Sequence, residues 1–329
     1  MTAVQVIAPA HHAGLARDQA LVVRALADAG FDAVPVTVGQ GGLARRIGAL
    51  GLRARQWWRR RRAGPAQARI DVNLMLERLQ PALLPLARRN ALIPNPEWFH
   101  PAWEPALAGL DRVLAKTHHA EPIFAAKGAR TEYLGFTSED RWRPGIAREP
   151  LFFHLAGRSG NKGTQPLIEL WLRRPAWPTL TIVQRAPARV PAAPNLRFVT
   201  GFVDDDALRT LQNRHLFHLC PSETEGFGHY LVEAMSVGAI VLTTRAPPMD
   251  ELVGDERGVL VPYARTGTQR LATTYFVDAA GLEAGVERML ALAPDERREL
   301  GAAARAWYEA NDRAFRARLA DAVARLAAG

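Results

Sequence analysis

The sequence predicts an α/β protein of two domains, each built on a parallel sheet. Three observations carry this. The chain has 329 residues, about twice a common domain length. Residues 4–38 read as strand, helix, strand, the unit from which parallel sheets are built. A second strand series restarts at Leu151, after a stretch from Thr137 to Pro150 that loses apolar periodicity and fills with charge and proline.

Val4-Gln5-Val6-Ile7-Ala8 is an apolar run stopped by Pro9, and Gln19–Ala29 carries Leu21, Val22, Ala25 and Leu26 at helical spacing before Gly30. The loop between them, with His11, His12 and Gly14, falls at the carboxyl end of the strand, where such sheets bind ligands. Solvated turn histidines are the competing reading. Ile70–Leu76, Ala91–Pro94, Arg112–Ala115 and Thr131–Phe136 read as further strands or strand ends. The proline-dense loop Pro94-Asn95-Pro96-Glu97 among them holds Asn95 and Glu97 on a restricted backbone.

Net charge is +9, and its placement decides what it means. Eight arginines and no acid lie between Leu43 and Arg62, so the rest of the chain is nearly neutral and a broad nucleic-acid-binding face is not expected. Leu43, Ile47, Leu50, Ala54 and Trp57 fall at helical spacing there. With Arg53, Trp58 and Arg59 beside them, they suit the surface of an anionic membrane. An arginine-coated helix packed on its own domain is the alternative. No run reaches the ~18 apolar residues of a membrane span, and Met1-Thr2-Ala3 leads into the first strand without a signal pattern. The expectation is a cytoplasmic protein, peripheral on the inner face of the membrane. The single cysteine, Cys220, ends an apolar run and reads as buried in a reducing compartment.

In the second half, Leu151–Ala156 is a strand followed by Gly157-Arg158-Ser159-Gly160-Asn161-Lys162-Gly163 and a helix over 164–173. Strands at Leu180–Gln184 and Leu196–Val199 precede a helix at Asp204–Asn213. Asp204-Asp205-Asp206 stands just before that helix, so capping and dipole complementarity explain it better than a magnesium site, and no metal is assigned. After the strand Leu216–Cys220 comes Pro221-Ser222-Glu223-Thr224-Glu225-Gly226-Phe227-Gly228-His229-Tyr230, then a helix carrying Glu233. Glycines on both sides of Phe227 let the backbone approach a ligand, and the following helix aims its first N–H groups at an anion. Arg158 and Lys162 could neutralise a diphosphate, and the Glu225 and Glu233 carboxylates could accept hydrogen bonds from sugar and ribose hydroxyls. Beyond Val259–Pro262 the chain is expected to be mostly helical.

The run Pro221–Met235 resembles the signature of group 1 retaining glycosyltransferases of the GT-B fold, whose hallmark is two glutamates separated by seven residues, here Glu225 and Glu233. The likeness continues through Gly238-Ala239-Ile240-Val241 and Glu251-Leu252-Val253. Gly157-Arg158 with Lys162-Gly163 resembles the family's diphosphate-binding loop, and residues 151–265 are covered. The resemblance implies two Rossmann-like domains facing each other across a cleft. These would be an acceptor domain over 1–137, a linker over 138–150, a nucleotide-sugar donor domain over 151–305, and a C-terminal helix over 306–329 returning toward the first domain.

By resemblance, Arg158, Lys162 and Glu225 would be catalytic, and Gly226, Phe227, Gly228, His229, Tyr230 and Glu233 would complete the donor site. His11, His12, Gly14, Asn95 and Glu97 are the acceptor-side candidates. The activity implied is transfer of a sugar, with retention and without cofactor or metal, from a nucleotide diphosphate sugar to a glycan or lipid-linked acceptor. Cell-surface polysaccharide or glycolipid synthesis is the setting expected. A nucleotide-sugar epimerase or phosphorylase on the same fold, or a catalytically silent binding subunit, are the alternatives.

Overall fold

The computed structural model describes residues 1–10, 13–39, 70–157, 159–185 and 192–329. The chain divides into two compact units, Met1–Phe136 with Asp312–Gly329, and Thr137–Asn311.

The first unit contains strands β1 (Ala3–Pro9), β2 (Asp32–Val38), β3 (Ile70–Leu76), β4 (Ala87–Ile93), β5 (Arg112–Ala115) and β6 (Thr131–Tyr133), with helices α1 (Ala13–Asp28) and α2 (Ala120–Ala125). All the strands are parallel, in the order β2-β1-β3-β4-β5-β6. Val4, Val6, Val72, Leu74, Ala91 and Leu92 are fully buried, as expected of inner strands covered on both faces. Two polar side chains inside tie elements together. Gln19 on α1 donates from Nε2 to the carbonyls of Val6 and Val36, stitching the helix to both strands it connects. Lys116 at the end of β5 reaches Asp18 Oδ2 at 2.8 Å, and both are buried.

The second unit contains β7 (Glu149–Gly157), β8 (Leu180–Gln184), β9 (Leu196–Thr200), β10 (His215–Cys220), β11 (Ile240–Thr244) and β12 (Gly258–Val261). They are parallel, in the order β12-β11-β10-β7-β8-β9. The connecting helices are α3 (Thr164–Arg173), α4 (Asp205–Arg214), α5 (His229–Ser236), α6 (Met249–Leu252) and α7 (Ala279–Ala291). Strand order reverses between β7 and β10, so the loops leaving those two strands diverge at the carboxyl edge and open a crevice there. Phe152 of β7 and Phe217 of β10 are in register and stack with centroids 4.9 Å apart, and Trp171 of α3 meets Phe152 edge-on. This aromatic cluster, fully buried, fixes the two strands that carry the crevice loops.

Three features of the described residues bear on the sequence reading. Residues 138–150, expected as a linker, cluster with the second unit, because Arg141 is fully buried there. It donates from Nη1 to Asp205 Oδ1 at 2.6 Å and from Nε to Gln212 Oε1 at 2.8 Å. The C-terminal helix α8 begins at Pro294 and runs to Ala328, and its part from Asp312 belongs to the first unit. Past Pro262 the chain forms an antiparallel hairpin, β13 (Tyr263–Gln269) and β14 (Ala272–Val277), where helix was expected. Its threonines and aromatics prefer extended backbone, and Arg270 supplies the left-handed turn residue at φ +57°.

Candidate active site

The site assembles where β7 and β10 end. Both loops enter their helices through a glycine in the left-handed region: Gly163 (φ +63°) before α3 and Gly228 (φ +100°) before α5. A Cβ at 163 would stand 2.3 Å from the Pro221 carbonyl oxygen, and one at 228 would stand 2.7 Å from Leu231 Cδ1. The missing side chain at 163 therefore lets the two loops touch, and the one at 228 leaves room for Leu231 of its own helix. Neither helix has a side-chain cap, unlike α4 and α7, which Asp204 and Asp278 cap through the N–H groups of Ala207 and Gly281. First-turn N–H groups without a cap are an anion site in waiting.

The charged pair spans the two loops. Lys162 Nζ lies 2.6 Å from Glu225 Oε1 and 3.6 Å from the Tyr230 ring centroid. Ser222 Oγ donates to the same Glu225 oxygen at 2.5 Å and also contacts the Tyr230 hydroxyl. Since the single serine proton goes to the carboxylate, Tyr230 is the donor in that second contact, which requires it to stay protonated. Burial pushes its hydroxyl well above the ordinary tyrosine value, in the same direction. Burial likewise raises the Cys220 thiol, so this cysteine is structural.

A third segment braces the pair. The Glu223 N–H donates to the Asn161 carbonyl at 2.9 Å, and the Glu223 carbonyl accepts from the Tyr275 N–H of β14 at 2.7 Å. Asn161 Nδ2 in turn donates to Gln269 Oε1 on β13 at 2.8 Å. The hairpin that the sequence did not announce thus clamps both loops. Half-burial raises the Glu223 carboxyl, against the opposing charge of Arg265.

Glu233 lies on α5, buried, and accepts from Gln212 Nε2 at 2.9 Å. Gln212 is held by Arg141, so a chain Arg141–Gln212–Glu233 fixes the carboxylate from behind. His229 opens α5 with Nδ1 at 2.8 Å from Ser138 Oγ, and Phe227, buried, meets its ring edge-on at 5.4 Å. His154 on β7 is fully buried, with Nδ1 at 2.7 Å from the Leu219 carbonyl and Nε2 at 2.8 Å from Thr164 Oγ1, so it ties the start of α3 to both crevice strands. Its pKa is pushed down to about 4 by burial, leaving the imidazole neutral.

The three aspartates have separate work. Asp204 caps α4, Asp205 pairs with Arg141 and Arg209, and Asp206 pairs with Arg143. Among the described residues no cluster of three metal-ligating side chains occurs, and no helix is long and apolar enough to cross a membrane.

Of the residues singled out in the sequence, Lys162, Glu225, Gly226, Phe227, Gly228, His229, Tyr230 and Glu233 lie on the β10–α5 connection, on α5 or on the loop facing them. In the first unit Gly14 sits exposed at the start of α1, with open space where a side chain would be. Asn95 donates to Glu77 Oε2 at 3.3 Å, and Glu97 is buried. Arg158, His11, His12 and the segment with Arg53, Trp57, Trp58 and Arg59 lie outside the described residues. Sequence reasoning missed Ser222, Gln212 and Glu77. Glu77 directly follows β3, beside the β1/β3 reversal of the first sheet, and holds φ +60°. A non-glycine residue there is uncommon, and nothing in the sequence signals it.

Residues 194–307 match the family model described as Glycosyl transferases group 1. No curated protein is significantly similar to the chain in sequence. Among solved structures, a glycosyltransferase from Rickettsia africae superposes with TM-score 0.73 at 12% identity, covering 99% of this chain and 98% of that one. Sucrose-phosphate synthase from Thermosynechococcus elongatus gives 0.69 at 14% identity, covering 99% of each. An E. coli structure described as trehalose-6-phosphate bound with UDP-2-fluoro glucose gives 0.62 at 12% identity, covering 98% and 99%. The second unit thus carries a stretch matching the glycosyl transferases group 1 family, within a chain whose fold is that of the GT-B glycosyltransferases.

Proposed function

We propose that this chain is a retaining glycosyltransferase that moves a sugar from a nucleotide diphosphate sugar to a hydroxyl of a glycan or lipid-linked acceptor. The observation that carries the reading is the Lys162–Glu225 pair, set between two uncapped helix N-termini at the strand reversal of the second sheet. When the donor enters, its diphosphate takes the Lys162 ammonium together with Arg158 and the N–H groups opening α5. Glu225 then exchanges its lysine partner for hydroxyls of the sugar. Glu233, held by Gln212, accepts from the ribose.

The bond from the anomeric carbon to the diphosphate oxygen breaks, and the leaving diphosphate gathers negative charge. The preset cation and helix dipoles stabilise that charge, usually the largest contribution to such catalysis. The acceptor oxygen attacks the same face and gives its proton to the departing diphosphate oxygen, so configuration is retained. No metal is required in this reading. Asn95, Glu97, Gly14 and the paired histidines remain the acceptor-side candidates. The basic segment 43–62 would hold the protein against an anionic membrane carrying a lipid-linked acceptor, in cell-surface polysaccharide or glycolipid synthesis.

Purified protein incubated with labelled nucleotide diphosphate sugars and membrane extract tests this. Donor-dependent label in a glycan or lipid, with the anomeric configuration kept and full activity in chelator, is the expected result. Donor binding without turnover on any acceptor would make the chain a binding subunit instead.

A further inference from the structure

The second unit has a cavity that the glycosyl-transfer reading does not use. It holds about 580 Å³, within the size range of small-ligand sites. Pro150, Leu216 and Gly238, at or before the amino ends of β7, β10 and β11, line it, with the first turns of α8 opposite. The Lys162–Glu225 site stands at the carboxyl ends of β7 and β10. The two sites are therefore separated by the length of a strand, on the order of 15–20 Å.

Its walls are apolar and its rim is cationic. Trp142, Leu216, Val237 and Ala302 supply much of the apolar lining, while Arg148, Arg297, Arg298 and Arg305 supply the charge, and no carboxylate lines it among the described residues. Two of the four guanidiniums are answered from outside: Arg305 by Asp140 and Arg298 by Asp295. The other two meet no carboxylate. Arg148 donates to the carbonyls of Val237 and Gly238, and Arg297 donates from Nη2 to the Leu290 carbonyl, leaving its buried Nε without a partner. Burial holds the Arg148 guanidinium below its ordinary range, the sign of a cation short of counter-charge. Arg297 and Arg298 also sit in the opening turn of α8, where the helix dipole disfavours cations and favours anions. Asp295 and Glu296 offset the dipole at that turn, and the Arg148 and Arg297 guanidiniums lie over the Trp142 and Phe217 rings, but neither arginine meets a carboxylate; a dianionic head on an apolar body would supply the missing counter-charge.

We propose that this cavity is a second ligand site, for an amphipathic phosphate monoester. Its head would take the guanidinium N–H groups that Arg148 and Arg297 do not spend on backbone carbonyls, and its apolar body would lie against Trp142 and Leu216. The head could belong to a free amphiphile or to a membrane lipid; the chemistry recognised is the same.

Octyl phosphate, titrated into the full chain by calorimetry, tests it. One site per chain is expected, at least tenfold tighter than inorganic phosphate. Ala302→Trp fills the cavity from an exposed helix position and should weaken octyl phosphate at least tenfold while leaving its unliganded melting temperature and its binding of uridine diphosphate unchanged. Arg297→Gln should weaken octyl phosphate to the same degree. Phosphatidic acid vesicles added to protein loaded with octyl phosphate then identify the source, whatever the basic segment 43–62 contributes to vesicle binding. Displacement of the bound octyl phosphate assigns the head to a bilayer lipid, and its retention assigns it to a free amphiphile. No octyl phosphate binding, equal binding of inorganic phosphate, or undiminished binding by Ala302→Trp would overturn the proposal. Nucleotide binding in the same proteins is read separately, so the proposed transferase activity stands or falls apart from this site.

Discussion

Lys162 Nζ touches Glu225 Oε1 at 2.6 Å while standing 3.6 Å over the Tyr230 ring, so one ammonium ties together the loops after β7 and β10. With the lysine side chain 15% and the glutamate 12% exposed, the pair is largely shielded from solvent, and the proposed function has it exchange partners with the donor diphosphate. Lys162→Ala and Glu225→Ala should each lower turnover at least tenfold, about 1.4 kcal/mol of transition-state stabilisation. Steady-state rates alongside circular dichroism decide it, and wild-type rates in both variants would remove the pair from the mechanism.

Gly163 should tolerate no side chain. Its φ of +63° disfavours L-residues, and an added Cβ would press on the Pro221 carbonyl at 2.3 Å. Gly163→Ala is expected to cost about 1–3 kcal/mol and to weaken uridine diphosphate binding by parting the two loops. Chemical denaturation and a thermal-shift titration measure the two effects, and unchanged values in both would show the loops to be independent.

In the proposed function Glu233 binds the ribose and takes no part at the reacting bond. Glu233→Gln should raise the donor KM at least tenfold with a smaller change in kcat, because a ribose contact is made equally in the ground and transition states. A fall in kcat at constant KM would contradict the ribose assignment.

Asp204 Oδ1 accepts the Ala207 N–H at 2.8 Å, so Asp204→Ala should lose about 1 kcal/mol of stability. If the aspartate run served a metal instead, magnesium would raise the wild-type melting temperature and the substitution would abolish that rise. No such dependence is expected.

The buried histidines set the response to acid. His154 is held down to about 4 and His218 to about 3, against an ordinary value of 6.5, chiefly by burial. The unfolded chain therefore binds more protons than the folded one below pH 6.5. The stability these groups contribute is full above that value and is lost as pH falls toward 4. Urea denaturation at pH 7 and pH 5 should show the decline, and His154→Gln should flatten it. Equal slopes in the two proteins would locate the acid sensitivity elsewhere.

Much of this was legible before the structure. The strand-helix-strand units, the helix after Asp204 and the Glu225–Glu233 spacing all rest on local patterns that one stretch of chain displays by itself. What escaped notice depends on distant partners. Arg141 looks like one more charge in a proline-rich connection until Gln212 and Asp205 fold over it. Glu77 gives no sign of its positive φ, since the strain comes from its tertiary setting. The hairpin 263–277 alternates weakly, its first strand being largely exposed, so apolar periodicity could not reveal it.

That hairpin gives the proposed donor site a reporter remote from it in sequence. The Tyr275 N–H donates to the Glu223 carbonyl at a distance of 2.7 Å. Its rate of exchange with heavy water therefore times the opening of the loop that carries Glu225, without any label placed on the loop. A bound donor that orders the loop would slow this single amide, and the ratio of rates would give the free energy that the donor contributes to loop order.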